Sequence, residues 1–153
     1  MSLVPGSREK HKDKAISRRK NYSFASETMA VPISYVELPH AVSTLPMFFL
    51  RKEQRIELCA LMGLEKGKNL FIAPNGDWIT DFIPAAVNCY PFAIGSVNKQ
   101  TKTLLVREDS KAIVDRAEGE PFFNEDGSEG KVIRLYAQLL NQITESSNMQ
   151  QNA

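Results

Sequence analysis

The stretch EGEPFFNEDGSEGKVIRLYAQLLNQIT, Glu118 to Thr144, carries the strongest local pattern in the chain. Val132, Leu135, Tyr136, Leu139 and Ile143 recur at helical spacing, and Leu140 widens their stripe. Lys131, Arg134, Gln138, Asn141 and Gln142 lie largely outside it. A helix with one apolar face has to bury that face against another layer. The acidic residues ahead of it read as its starting clamp. Asp126 is placed to accept a hydrogen bond from the early amides, and Glu129, three positions on, to return to the capping residue, as in a capping box. Phe122 and Phe123 are expected to pin this loop on the core, whereas Glu118 and Glu120 have no role in that reading.

The same loop is a poor calcium site. With Gly127 at the sharp-turn position of an EF-hand, Phe122 falls at the first ligand and Ile133 at the last, and neither binds calcium.

Working outward, the rest of the chain reads as sheet. MFFL, from Met47, is a short apolar run between proline and charge, and RIELCALM, from Arg55, alternates as its neighbour. NLFIAPNGDWIT places Asn75-Gly76 between two apolar arms, which suits a tight hairpin turn. FAIGSV and TLLVRE flank the polar VNKQT link as a second hairpin. Short helices are expected at HAVSTL, and at FIPAAVNCY with Asp81 as cap and Pro91 as stop; AIVDRA suggests one more turn. The expected fold class is α+β: a mainly antiparallel sheet of hairpins with short helices between them and the C-terminal helix packed across one face. The divisions expected are a basic, extended or mobile arm over 1–22, a single domain over 23–146 and a polar tail over 147–153.

With 153 residues, 42% of them hydrophobic and 24% charged, the chain is long enough for a real core. Its net charge of +1 gives no global field that argues for nucleic acid or membrane surface as partner. The charge is nevertheless segregated. Arg8, Lys10, Lys12, Lys14, Arg18, Arg19 and Lys20 make the start basic, and a later stretch from Glu108 to Glu129 is acidic. These segments could attract each other or serve separate partners. No run approaches the roughly 20 apolar residues of a membrane span, and no apolar segment follows the first residues as in a secretory signal. Cys59 and Cys89, in apolar surroundings, suit buried reduced thiols, from which a cytoplasmic location is inferred.

Residues for chemistry are sparse. His11 and His40 are the only histidines, and His40 is expected as a partly buried packing residue. The histidines and cysteines have no paired zinc spacing, so no metal and no cofactor is expected. GLEKGK, Gly63 to Lys68, is one residue short of a phosphate-binding loop and reads as a turn, and Gly95-Ser96 lacks the pattern of a nucleophile elbow. Asp77, Asp81 and His40 are the candidates for proton transfer. Asn69, Trp78 and Tyr90 are the candidates for a ligand pocket, with Phe92 beside them and Asp77 as a second polar edge.

Taken in order, NYSFAS, ELPHAVSTLPMFFL, GLEKGKNLFI, NGDWITDFIPAAVNCYPFAI, LLVREDS and EGEPFFNEDG resemble the SapC family of bacterial proteins, over about Val4 to Ile143. The resemblance implies a bacterial protein without agreed catalytic residues, belonging to a family named for a product linked to surface-layer arrays. That family shares its name with a peptide-transporter permease, a role the absence of an apolar span excludes. Family members usually continue past the helix that ends here, which suggests a short form, a fragment or a truncated gene. An apolar face left open in such a chain would seek a protein partner or a second copy. Two functions follow as expectations: a non-catalytic accessory of surface-layer or export systems, with the basic arm and the acidic loop as contact surfaces, or a small transferase acting on an acyl or sugar group.

Overall fold

A computed structural model of the chain describes residues 3–18, 21–98 and 101–151. The chain divides into two compact units, one of Met1–Lys20 with Cys89–Asn141 and one of Asn21–Asn88 with Gln142–Ala153. The architecture is α+β and mostly sheet, as expected. Among the described residues, the strands form three antiparallel three-stranded sheets.

The first unit holds two of these sheets. Strand β1 (Leu3–Pro5) precedes a single helical turn, α1 (Arg8–His11), and strand β2 (Lys14–Ser17). The expected FAIGSV and TLLVRE hairpin is β6 (Phe92–Asn98) with β7 (Thr101–Arg107), and β1 pairs with the outer side of β7. Lys99 and Gln100 of its link lie outside the described residues. The second sheet is assembled around β2, which pairs with β8 (Ile113–Asp115) on one side and β9 (Gly119–Pro121) on the other.

That placement corrects the reading of residues 1–22 as an arm. Lys14–Ser17 is the middle strand of a sheet, with Ala15 fully buried and Ile16 nearly so. Two apolar residues among charges are too few to show a period, and their partners lie about a hundred residues away. AIVDRA likewise contains all of β8, followed by a 3-10 turn at Arg116–Glu118. Gly119 is needed where β9 crosses β2, because a β-carbon there would overlap the carbonyl of Ile16.

The acidic loop then delivers Phe122 into the core, fully buried against Phe92 at 5.3 Å between ring centroids, and Phe92 stacks on Tyr136 at 5.0 Å. Tyr136 belongs to α4 (Lys131–Gln151), which runs on through residues read as tail. The buried stripe of α4 is rotated from the one expected. Val132, Ile133 and Tyr136 are buried, whereas Leu135 is 50% exposed. Leu139 and Leu140 are half-buried, and the side chain of Ile143 lies outside the described residues, as do Asn152 and Ala153.

The second unit is built on β3 (Ala30–Pro32), β4 (Met47–Lys52) and β5 (Arg55–Leu61), in the order β3-β5-β4. Tyr22, Val31, Ile33, Leu45, Ala60, Met62 and Val87 make its core, with Phe71 and Trp78 packed against it. The helix expected at HAVSTL begins earlier, as α2 (Leu38–Ala41), because Pro39 sits in its first turn, where a missing amide hydrogen costs nothing. FIPAAVNCY forms only one turn, α3 (Ala85–Asn88). The Asn75-Gly76 turn is present, with Gly76 at φ +87° and Gly76 N–H donating to Ala73 C=O, but its arms meet through a single bridge, Ile72 to Trp78.

Candidate functional site

Every residue proposed for the acid/base or pocket role can be placed. Asp77 is exposed, and its Oδ2 accepts from the Asn75 side-chain amide at 2.7 Å, so it helps close the turn. Asp81 is exposed too, and it is not the cap of α3. His40 is exposed rather than partly buried, with its ring stacked on Phe82 at 6.5 Å between centroids. Asn69 is buried, and both ends of its amide are in use: Nδ2 donates to Ala25 C=O at 3.1 Å and Oδ1 accepts from Phe71 N–H at 2.9 Å. Trp78 stacks on Phe71, meets Tyr22 edge-on, and donates its indole N–H to Thr80 Oγ1 and Phe82 C=O. Trp78 and Asn69 therefore spend their polar atoms on holding the second unit together.

Tyr90, in the first unit, lies under the Arg107 guanidinium at 5.8 Å, and Phe92 is in the core. Cys59 and Cys89 are both buried, as expected. Burial pushes the Cys59 thiol up, and the Glu57 charge adds to this.

The capping expectation at Asp126 and Glu129 is corrected. Asp126 Oδ1 accepts from the Ser128 hydroxyl at 2.6 Å and from Ser128 N–H at 2.9 Å, while α4 begins only at Lys131, its first intrahelical bond running from Arg134 N–H to Gly130 C=O. The physical reason is Gly127, whose φ of +83° is left-handed and cannot be the first residue of a right-handed helix. Residues 123–129 form a tight turn instead, joined by a bridge between Phe123 and Glu129 and by Asn124 N–H to Ser128 C=O at 2.8 Å. The Ser128 hydroxyl and then its amide hold the Asp126 carboxyl below the usual aspartate value.

A carboxylate that sequence reasoning passed over has the role given to Asp126. Glu37 is buried; its Oε2 accepts from Ser34 N–H at 3.0 Å and Ser34 Oγ at 2.7 Å, and its Oε1 from Ala85 N–H at 2.6 Å. The signal was the Ser-x-x-Glu spacing at Ser34–Glu37, immediately before α2. Glu37 thus steadies one short helix by its entry turn and accepts the first amide hydrogen of α3.

Some of the segregated charges meet. Lys14 Nζ lies 2.9 Å from Asp115 Oδ1, and that hydrogen bond and charge raise the ammonium above its ordinary value. Arg18 reaches Glu120 at 3.6 Å, and Arg116 donates to Phe123 C=O at 2.6 Å. His11 is buried under Phe122. Its Nδ1 lies 3.0 Å from Ser7 C=O, and its Nε2 is 3.2 Å from Glu108 Oε1, at an angle that makes no hydrogen bond. These pairs are mostly exposed and individually weak, so they set the register of the β8-β2-β9 sheet more than its stability.

The third feature is an apolar face. Met47, Phe49 and Arg51 alternate on one face of β4, opposite Ala60, Leu58 and Ile56 of β5. The face is buried at Ala60 and then runs outward to Phe49, 74% exposed, and Ile56, 59% exposed. Strand β4 is also the edge of its sheet.

These are the features of an α+β protein whose described site candidates are mostly committed to its own structure. The chain belongs to the SapC family, whose model matches residues 7–153. Neither a curated protein nor a solved structure matches it. Among the described residues no helix is long and apolar enough to cross a membrane.

Proposed function

We propose that this SapC-family chain is a non-catalytic accessory that works in the bacterial cytoplasm by contacting a component of surface-layer or export systems. The observation that carries the reading is the β4–β5 face, where a core-facing apolar row continues into solvent through Phe49 and Ile56 on an edge hairpin. The contact surface in this reading is this face rather than the basic and acidic segments first considered, of which Lys14 with Asp115 and Arg18 with Glu120 already pair across β2. The internal commitment of Asn69 and Trp78 weighs against the transferase alternative at that position.

The test is affinity capture from native lysate with the wild-type chain and the Phe49→Ser/Ile56→Ser double variant. A surface-layer or export component retained by the first and lost by the second is the expected result. Recovery of no such component, or equal recovery by both, contradicts the proposal.

A further inference from the structure

A separate feature of the first unit goes beyond that reading. An open cavity of about 320 Å³ is lined on its apolar side by Leu104 of β7 and Ile133 of α4, and around it stand Arg8, Thr103, Glu129 and Asn141. Among the described residues none of these four polar side chains takes part in a hydrogen bond or ion pair. Arg8 and Glu129 therefore carry opposite charges into one opening without pairing.

The position of Arg8 is built into the fold. Its guanidinium covers the α-carbon of Gly127 face-on, since a β-carbon at that residue would overlap Cζ and both Nη atoms together. One face of the group is thus occupied and its in-plane N–H donors are left over, the geometry that grips a carboxylate by two bonds. Asp126 feels the Arg8 charge, but it makes no ion pair with Arg8, and its Oδ1 is bonded to Ser128.

We propose that this cavity binds a small zwitterion, an α-amino acid with a branched aliphatic side chain. Its carboxylate sits on the Arg8 fork, its ammonium on Glu129, and its side chain against Leu104 and Ile133, with Thr103 Oγ1 and the Asn141 amide completing the polar rim. Arg8 and Glu129 are both exposed, so a plain alkyl carboxylate would engage only Arg8 and a plain alkylamine only Glu129. A ligand bearing both charges satisfies both.

The test is titration calorimetry of the full chain with L-leucine, isovalerate and isopentylamine, repeated on Arg8→Gln and Glu129→Gln, with helical circular dichroism as the check on folding. Leucine is expected to bind saturably, and each single-charge analogue and each variant to bind at least about tenfold more weakly, the loss of one charge-assisted contact. If Arg8→Gln loosens the fold, Arg8→Lys retains the charge without the fork and is expected to weaken leucine binding by a similar factor. Methyl shifts of Leu104 and Ile133 on adding leucine provide a readout independent of heat. No heat and no shift at millimolar leucine overturns the proposal. So does isovalerate binding as well as leucine with no effect of Glu129→Gln.

Discussion

Glu37 and Ala85 are 48 residues apart in sequence, and the carboxylate of the first accepts the amide hydrogen of the second at 2.6 Å. The same carboxylate closes the turn at Ser34, so one buried side chain holds the approach to α2 and the start of α3. Removing it strands three donors. Glu37→Ala is expected to cost about 2–4 kcal/mol in urea denaturation, and Glu37→Gln less, because its amide oxygen still accepts. An unchanged midpoint for Glu37→Ala would show that the clasp contributes nothing.

The rotated stripe of α4 makes a paired prediction. Leu135, which the helical period placed in the stripe, is half exposed, whereas Ile133, which the stripe did not include, is buried. Ile133→Ala should cost about 2–4 kcal/mol as a core truncation, and Leu135→Ala under about 1 kcal/mol. Thermal or chemical denaturation of the two variants decides it, and equal losses would restore the original face.

Much of the fold was legible where the pattern is local. The strands at Met47 and Arg55, the hairpin of β6 and β7 and the long helix each declare themselves within a dozen residues. What stayed hidden depends on distant partners. Nothing in HKDKAISRR announces a central strand, because β8 and β9, which give Ala15 and Ile16 their burial, come about a hundred residues later. The two carboxylate boxes show a subtler failure. Ser34–Glu37 and Asp126–Glu129 share one spacing, but Asp126-Gly127 is also a turn signal, and the left-handed Gly127 stops a helix from starting there. Of the site candidates, Asn69 and Trp78 were read as ligand-pocket residues; the hydrogen bonds they make are to their own unit.

The Asp126 turn has a pH signature. Ser128 donates to the charged carboxylate, so the native value lies below the ordinary 3.8. A depressed carboxyl contributes its full stabilisation above the unfolded-state value and loses it as pH falls through the lower native one. NMR titration should place Asp126 below ordinary aspartates, and Ser128→Ala should move it up. A titration unaffected by Ser128→Ala would separate the shift from this bond.

Cys59 is buried with its thiol raised, so it should be a poor nucleophile in the native chain. With the native protein near neutral pH, a disulfide reagent is expected to label it slowly, and quickly once denaturant is added. Fast labelling before denaturation would place the thiol at the surface.

Central to the fold is the place of Lys14–Ser17 between β8 and β9, which brings Lys14 to Asp115 and Arg18 to Glu120. Hydrogen exchange of the full chain reads this directly. Slow exchange at Ala15, Ile16 and Ser17, comparable to the amides that pair β6 with β7, is the predicted result. Exchange of those three amides at the rate of an unfolded chain would contradict it.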